Sequence, residues 1–411
     1  MISKMWGRRK VSDSEFDSRL RVLRSKFEGE RTTLYLDNAA TTAIDPEVVQ
    51  AMGRHNLMAK NASAVHINGL DGADCVWEGI ERVAESIGAE DRDIYFTSGG
   101  TESNNWALKG VVAKTGKGGL VIGAGEHQSI SKCAHWMNGG MAELSIAGLL
   151  PDGRVDMDSL KGCLENGAVG LVSIQHSNSD TGVINDIPAI SELVHKAGAL
   201  LHVDAVQSWG KVELNVGKLG VDLMTLSGHK IHGPQGIGVL YIRDGVEIEP
   251  LIHGGGQQRG KRAGTLPVQL IVGLGVAAAQ ARVDVKMNMD VVRDSQYFME
   301  CLLRDRFGAK IAGDGSDRLP TISKIILGGE VEADMVCALL SQDGIMVSVG
   351  SACDSVNSGS SLVLRAMGYN EVEARSAFRV SLCRGTTRRD VLGLVDGLGR
   401  ALRRVREQGL I

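Results

Sequence analysis

The feature that most constrains the fold is an alternation of short apolar runs with helical patterns, which begins at Leu34. The apolar runs predict strands at 34–36, 93–97, 119–123, 142–147, 168–174, 199–203, 222–226 and 237–242. Helices are predicted between them at 46–59, 70–88, 101–114, 156–165 and 186–197. This order is typical of an α/β fold with a mostly parallel sheet flanked by helices. Because ligands bind such sheets at the carboxyl ends of strands, polar residues that follow strands are the functional candidates.

A second group of elements indicates a further, smaller α/β domain. After a long helical stretch at about 267–307, elements are predicted at 321–326, 331–341, 345–348, 378–382 and 387–407. We therefore expect an N-terminal extension at 1–31, a large domain at 32–309 and a small domain at 310–411. In the extension, Ser12 and Glu15 have capping-box spacing ahead of an apolar face, which predicts a short amphipathic helix. This helix either packs on the outside of the body or docks a partner.

Composition excludes several classes of protein. Apolar residues make up 43% of the 411 residues and charged residues 23%, which excludes global disorder. A formal charge of −4 and only 4% aromatic residues argue against direct nucleic-acid binding. The seven cysteines show neither a CxxC pair nor zinc spacing. The uncharged stretch 263–281 contains Pro267 and predicts a buried helix rather than a membrane span. We expect a soluble, cytoplasmic protein without a membrane segment.

Three motifs follow predicted strands. The glycines of the segment 97–103 (TSGGTES) let backbone amides approach an anion at a helix N-terminus, although an ordinary helix cap fits equally well. Asp204 closes an apolar strand, where it is either a capping residue or a buried carboxylate that requires a cationic partner. Lys230 follows the next strand, and a desolvated lysine suits Schiff-base chemistry, although most single lysines are exposed.

Together these three motifs match the needs of pyridoxal 5'-phosphate. This cofactor requires a phosphate site, an acid partner for its pyridine nitrogen and a lysine for its aldehyde. His127 follows the strand at 119–123 and suits ring stacking or proton transfer; a structural histidine is the alternative. The sequence therefore predicts a pyridoxal-phosphate site at one edge of the sheet.

Two residues of the small domain complete the candidates. Cys353 lies in a loop of small residues, which favours a thiol that travels to its target over a buried, inert one. Arg379 begins a predicted strand and is suited to clamp a carboxylate through paired hydrogen bonds; a surface salt bridge is the alternative.

From about Leu34 to Leu402 the sequence resembles the cysteine desulfurases, within the fold-type I, class V aminotransferase-like pyridoxal-phosphate enzymes. The resemblance is carried by seven segments in the family's order: 35–42 (YLDNAATT), 97–103 (TSGGTES), 126–127 (EH), 202–207 (HVDAVQ), 227–230 (SGHK), 262–265 (RAGT) and 350–353 (GSAC). It implies a large domain with a mostly parallel, seven-stranded-type sheet and a smaller C-terminal domain.

The resemblance also implies a role for each matching residue. Lys230 would bind the cofactor aldehyde and later move the α-proton, and His127 would stack on the ring and transfer protons. Arg379 and Asn38 would bind the substrate, and Cys353 would attack its sulfur. The residues implied to bind the cofactor are Gly100, Thr101, His127, Asp204, Gln207, Ser227, His229, Lys230 and Thr265, the last reaching into the neighbouring subunit of a homodimer. No metal ligand is expected, apart from a transient iron–sulfur contact at Cys353.

The implied activity is the removal of sulfur from L-cysteine to give L-alanine and a Cys353 persulfide. The sulfur would pass to an acceptor or scaffold protein in iron–sulfur cluster assembly or tRNA thiolation. A selenocysteine lyase, another class V aminotransferase and a weakly active docking scaffold for sulfur acceptors stay open as alternatives. The chain departs from the family at Ser179 and Asp180, where the usual pattern is Asn-Asn-Glu-x-Gly, and this puts a cofactor contact at Ser179 in question.

Overall fold

The computed structural model describes residues 33–56, 58–116, 118–165, 168–329, 331–350 and 361–407. The N-terminal extension with its predicted helix, and Cys353, lie outside the described residues. The large sheet has the strand order β2-β8-β7-β6-β5-β3-β4. Its strands are β2 (Ile94–Thr97), β3 (Gly119–Gly123), β4 (Glu143–Ala147), β5 (Val169–Gln175), β6 (Leu200–Asp204), β7 (Leu223–Ser227) and β8 (Gly238–Ile242). Strands β3 to β7 pair in parallel, and β8 pairs antiparallel with both β2 and β7.

Helices cover both faces of this sheet, as the alternation predicted. They are α1 (Pro46–Asn56), α2 (Ile67–Ile87), α3 (Gly100–Thr115), α4 (Gln128–Met137), α5 (Met157–Glu165), α6 (Ile187–Lys196), the short α7 (Val216–Leu219) and α8 (Val268–Met287). Every residue of the central strand β5 is buried, as expected for a strand packed on two faces. The predicted fold class is confirmed.

The apolar stretch at 263–281 contributes most of helix α8. By length and composition alone α8 could cross a membrane, yet half of its most apolar window is buried within this fold. It packs against α1 and α2, and Ile271, Leu274 and Ala278 are fully buried among the core residues beneath the sheet. These contacts are those of a core helix.

A second, smaller unit follows α8. Its sheet has the order β12-β10-β9, formed antiparallel by β9 (Lys310–Ile311), β10 (Ile322–Ile326) and β12 (Ala377–Ser381). Its helices are α9 (Met289–Phe307), α10 (Ala333–Gln342), α11 (Leu362–Ala366), α12 (Glu371–Arg375) and α13 (Arg388–Glu407). Strand β1 (Leu34–Tyr35) does not join the large sheet with the other early strands, because it pairs in parallel with β11 (Ile345–Met346).

The packing also bears on the domain boundary. The single helical stretch expected at 267–307 is two helices that meet at Asn288. The apolar face of α9 joins the core of the small unit, together with Leu36 from the N-terminal side. The division at 309/310 stays a prediction, and we propose that the small unit begins one helix earlier, at α9.

Candidate active site

A cavity of about 290 Å³ opens at the carboxyl ends of the parallel strands β5, β6 and β7. The N-terminal end of α3, Arg379 in the middle of β12 and the turn at Ala39–Ala40 complete its wall. Most residues singled out from the sequence line this one cavity: Gly100, Thr101, His127, Asp204, Gln207, Ser227, His229, Lys230 and Arg379. Residues that are distant in the sequence therefore converge at the sheet edge where the motifs predicted a ligand site.

Lys230 ends a short 3₁₀ turn directly after β7. Its Nζ donates to the backbone oxygen of Ala39 at 2.5 Å and to that of Ala40 at 2.7 Å. The neighbouring His229 is partly buried, and burial together with the positive charges of Lys230 and Lys211 lowers its pKa to about 4. His229 is therefore neutral near pH 7 and contributes hydrogen-bonding capacity rather than charge.

Asp204 lies at the last position of β6 and is 8% exposed. Its Oδ2 accepts from Nδ2 of Asn104 at 2.8 Å, and its Oδ1 accepts from the backbone N–H of Val206 at 3.0 Å. These neutral donors fix the carboxylate and leave part of its accepting capacity directed at the cavity. Asn104 Oδ1 is buried without a hydrogen-bond partner among the described residues. The strand end is thus built to receive a hydrogen-bond donor.

The first turn of α3 forms the opposite wall. Gly99 precedes it with a φ of +153°, a conformation that L side chains rarely adopt. A Cβ on Gly100 would lie 3.1 Å from Cγ2 of Val206, so any side chain there would require Val206 to move. With Thr101 and Ser227 on the same cavity, this helix N-terminus presents backbone N–H and hydroxyl donors to an anion.

Arg262 supports this turn from outside the cavity. Its Nε and Nη2 donate to the two carboxylate oxygens of Glu102, at 2.9 and 3.2 Å. Burial raises the pKa of Glu102, but the hydrogen bonds from Arg262 and Ser98 outweigh it and lower the pKa overall. The RAGT segment therefore contacts the TSGGTES segment within one chain. Thr265 itself is exposed and does not line the cavity.

His127 is the N-cap of α4, and its Nδ1 accepts from the backbone N–H of Ser129 at 3.2 Å. Because Nδ1 acts as an acceptor there, the neutral ring carries its proton on Nε2. The preceding Glu126 accepts from the backbone N–H of Gln175 at 2.8 Å. Burial, reinforced by the charge of Asp204, raises the pKa of Glu126 well above its ordinary value.

Arg379 in β12 is 2% exposed and reaches the cavity from the small sheet. Its Nη1 donates to the backbone oxygen of Ser179 at 2.9 Å, and its Nη2 donates to Oδ1 of Asp37 at 2.8 Å. Nε is buried without a hydrogen-bond partner among the described residues. The guanidinium is therefore fixed on two sides and retains donor capacity for a carboxylate.

Asn38 does not line the cavity. It is buried, and its Nδ2 donates to the backbone oxygen of Ser381 at 2.9 Å, so it joins the N-terminal segment to β12. Its predicted contact with the substrate stays a prediction. Cys353, which with Arg379 makes up the predicted site residues of the small unit, lies outside the described residues.

Sequence reasoning missed Lys211, which is 8% exposed. Its Nζ donates to Oε1 of Gln207 at 3.2 Å, and Nε2 of Gln207 donates to the Ala39 oxygen that Lys230 also contacts. Burial, with the positive charges of Lys230 and Arg379, lowers the pKa of Lys211 to about 7. Lys230 and Arg379 in the lining, with Lys211 behind Gln207, are cationic groups that suit anionic ligands.

The residues present fit pyridoxal 5'-phosphate. The α3 N-terminus suits a phosphate, Asp204 a protonated pyridine nitrogen and Lys230 an aldehyde, and all three line one cavity. Ser179 lines the cavity too, so the departure from the family pattern falls at the site itself. Among the described residues, no group of three or more His, Cys, Asp or Glu side chains could hold a metal ion.

Comparisons with known proteins agree with this geometry. The family model described as Aminotransferase class-V matches residues 34–394. The cysteine desulfurase of Gluconacetobacter diazotrophicus is 37% identical over 379 residues, which cover 91% of this chain and 94% of that protein. The structure of a NifS-like protein from Rickettsia africae matches with a TM-score of 0.83 and 31% identity, over 90% of this chain and 99% of that one. A structure of SspA in complex with cysteine matches with a TM-score of 0.76 and 31% identity, over 85% and 99% of the two chains.

Proposed function

The chain belongs to the class-V aminotransferase family, whose members are pyridoxal-phosphate enzymes, and we propose that it removes sulfur from L-cysteine. The observation that carries the proposal is the convergence of Lys230, Asp204 and Arg379 on one cavity, with His127 beside them. Similarity to a cysteine desulfurase across nearly the whole of both chains, and to a protein solved with cysteine, supports the choice of substrate. The expected products are L-alanine and a persulfide on Cys353.

Each cavity residue has a distinct task in this proposal. Bound pyridoxal phosphate supplies an electron sink, which stores the electron pair released at the substrate carbons. Asp204 would hold the proton on the pyridine nitrogen, and Gln207 would face the phenolic oxygen. Lys230 would bind the aldehyde, and its amine would carry the proton at the substrate Cα. The fixed guanidinium of Arg379 orients the substrate carboxylate.

His127 is suited to proton transfer at the substrate. Its Nδ1 is held by Ser129, so the proton available to the cavity is the one on Nε2. A positioned acid–base group of this kind typically contributes about 10²–10⁴-fold to a rate. Two protons require such transfer: the proton on the substrate Cα and the proton that is added to the carbon to complete alanine.

Cys353 is the proposed sulfur acceptor. Its thiolate attacks the sulfur of the bound cysteine, so that an S–S bond forms while the C–S bond breaks. The electron pair of the broken bond stays with the carbon, which is then protonated, and alanine leaves. The enzyme keeps one extra sulfur atom as a persulfide. We propose that this sulfur passes to acceptor proteins for iron–sulfur clusters or for tRNA thiolation in the cytoplasm.

We further propose that the chain acts as a homodimer. Thr265 is exposed and is not part of the lining of its own cavity, as expected for a residue that serves a neighbouring subunit. Nearby, Trp77 shares a surface groove with Gln257 and Leu266, and its side chain is 52% exposed. Large exposed apolar residues beside a functional loop favour a protein interface. Sedimentation of the purified protein tests this: a monomer that binds the cofactor with full affinity would contradict it.

The decisive experiment is incubation of the purified, cofactor-loaded protein with L-cysteine. Stoichiometric alanine and a gain of one sulfur mass on the Cys353 peptide are expected. The Cys353→Ser variant should keep the visible absorbance of the bound cofactor and lose the persulfide. If that variant releases sulfide at the wild-type rate, the assignment of Cys353 is wrong.

The same assay separates the alternatives. A selenocysteine lyase would turn over selenocysteine far faster than cysteine, and another class V aminotransferase would transfer an amino group without a Cys353 persulfide. A docking scaffold would bind sulfur acceptors yet form little alanine. The convergence of the charged residues on one cavity favours the desulfurase over the scaffold.

A further inference from the structure

A buried ion pair lies behind the Arg379 side of the cavity. Nζ of Lys324 is 3.0 Å from Oδ1 of Asp180, and the two side chains are 0% and 6% exposed. Lys324 lies in β10 directly opposite Arg379 in β12. Like charges opposite one another in a sheet are destabilising, and a buried cation requires a counter-charge. Burial lowers the pKa of Lys324, although the charge of Asp180 and its hydrogen bond act in the opposite direction.

Each partner of this pair also holds a second piece of chain. Lys324 Nζ donates to the backbone oxygen of Val349 at 2.6 Å. The hydroxyl of Ser361 donates to Oδ2 of Asp180, also at 2.6 Å. Val349 and Ser361 lie on either side of the segment 351–360, which contains Cys353 and is outside the described residues. One buried pair therefore fixes the described chain on both sides of Cys353.

The pair is also joined to the substrate-binding side of the cavity. Ser179, the residue before Asp180, accepts from Nη1 of Arg379 through its backbone oxygen. The chain at Ser348 pairs with the backbone of Arg379, so β12 contacts this region a second time. Asp180 and Lys324 thus connect the carboxylate clamp at Arg379 with positions 349 and 361.

We propose that Asp180 and Lys324 are positioning residues for sulfur transfer, which set where the chain enters and leaves the Cys353 segment relative to Arg379. The inference rests on the proposed function, since it concerns the attack by Cys353. Transfer requires the thiol sulfur and the substrate sulfur to meet at close range, and a displacement of about 1 Å can cost about 100-fold in rate. Neither residue needs to contact the substrate for this role.

The test compares Asp180→Ala, Lys324→Met and the double variant as cofactor-loaded proteins. Single-turnover formation of the Cys353 persulfide is expected to fall about 10–100-fold in all three. The cysteine concentration for half-maximal rate should change little, because Arg379 and its contact with Ser179 are kept. The visible absorbance of the bound cofactor should also be unchanged.

The double variant separates positioning from stability. A single variant leaves a lone buried charge and lowers the unfolding temperature, whereas removing both charges restores much of the stability. If the pair acts only through stability, the double variant will recover both the unfolding temperature and the rate of persulfide formation. Recovery of stability without recovery of rate is the expected result, and recovery of both would overturn the proposal.

A matched control lies on the opposite face of the same strand. Glu300 and Arg318 form an ion pair with 4% and 11% exposed side chains, and Glu300 accepts from the hydroxyl of Ser323, the neighbour of Lys324. The double variant Glu300→Gln/Arg318→Met should form the persulfide at close to the wild-type rate. A loss equal to that of the Asp180/Lys324 variants would contradict a specific role for that pair. Wild-type protein that forms no persulfide would instead refute the proposed function.

Discussion

Two groups of buried or partly buried cations differ in the partners that the fold gives them. The small-sheet cations, Arg318 and Lys324, each meet a buried carboxylate, at 2.8 Å on Glu300 and 3.0 Å on Asp180. The pocket cations are Lys230, which lines the cavity, and Lys211, which lies behind Gln207, and they donate to neutral oxygens of Gln207, Ala39 and Ala40. The first group is neutralised within the chain. The second group places positive charge at the cavity, and burial together with the charges of Lys230 and Lys211 lowers the pKa of His229 to about 4.

The difference shows which charges serve the fold and which serve a ligand. A buried cation without a nearby carboxylate costs stability, so it persists where binding of an anion compensates for it. A cofactor phosphate and a substrate carboxylate are both anions that fit this cavity. Changes to the pocket cations should therefore reduce activity, and a change to Arg318 should reduce stability alone. A change to Lys324 should reduce stability and, through its proposed positioning role, sulfur transfer as well.

The largest expected effect is that of Lys230→Ala on turnover. Without this amine the cofactor cannot be linked to the chain and the proton at the substrate Cα has no carrier, so activity should fall by more than about 10⁴-fold. Alanine formation and denaturation-resistant cofactor absorbance measure the two losses. The midpoint of unfolding should be equal to or above that of the wild type. A clearly lower midpoint would place Lys230 with the structural cations and break the comparison.

The next largest effect is expected for Glu300→Gln, which should reduce stability and leave activity nearly unchanged. This change leaves Arg318 buried beside a neutral partner and weakens the hydrogen bond from Ser323, so the free energy of unfolding should fall by about 3 kcal/mol. Urea unfolding provides the measurement. Turnover at a temperature where the variant is folded should stay within about twofold of the wild type. A large loss of turnover without loss of stability would contradict the division into two groups.

Arg379→Lys sharpens the comparison, because Arg379 shares features of both groups of cations. It meets a carboxylate of the chain, Asp37, and it also lines the cavity. A lysine keeps the charge but cannot contact Asp37, Ser179 and a substrate carboxylate together. Loss of one charge-assisted hydrogen bond predicts a fall of about 10–100-fold in kcat/KM, mostly through KM. A measured change in kcat alone would show that Arg379 acts on the chemistry and not on substrate binding.

Much of the fold could be predicted because its signals are local. The parallel strands β3 to β7 are short apolar runs, and their predicted limits lie close to those observed. Helix α4 was missed because its N-cap is His127 rather than Ser, Thr, Asp or Asn, and because its first turn is polar. The pairing of Leu34 with Ile345 depends on tertiary contacts, which no local pattern encodes.

In the candidate site, too, the residues with a local sequence signal were predicted and those that depend on tertiary packing were not. Residues that directly follow strands, such as Asp204 and Lys230, were predictable because topology alone brings strand ends together. Lys211 was not, since it sits in an irregular segment after Gly210 and resembles an exposed loop lysine. Only the packing of that segment under the cavity buries it. The substrate contact of Asn38 stays a prediction: its neighbours Ala39 and Ala40 line the cavity, whereas its own side chain bonds to Ser381.

The smallest expected effect is the pH-dependent stability contributed by Lys211. Unfolded lysine has a pKa near 10.5, whereas burial and the charges of Lys230 and Arg379 lower the pKa of Lys211 to about 7 in the folded chain. Between these values the unfolded state binds more protons, so the cost of burying Lys211 is complete below pH 7 and disappears as the pH rises toward 10.5. Lys211→Met removes this cost, and its stability advantage over the wild type should be about 1–2 kcal/mol larger at pH 6 than at pH 9. Urea unfolding of cofactor-free protein at both pH values measures it, with Lys218→Met at an exposed lysine as the control. An advantage that is equal at the two pH values would mean that burial of charged Lys211 costs no stability. The contrast between the two groups would then depend on Lys230 alone.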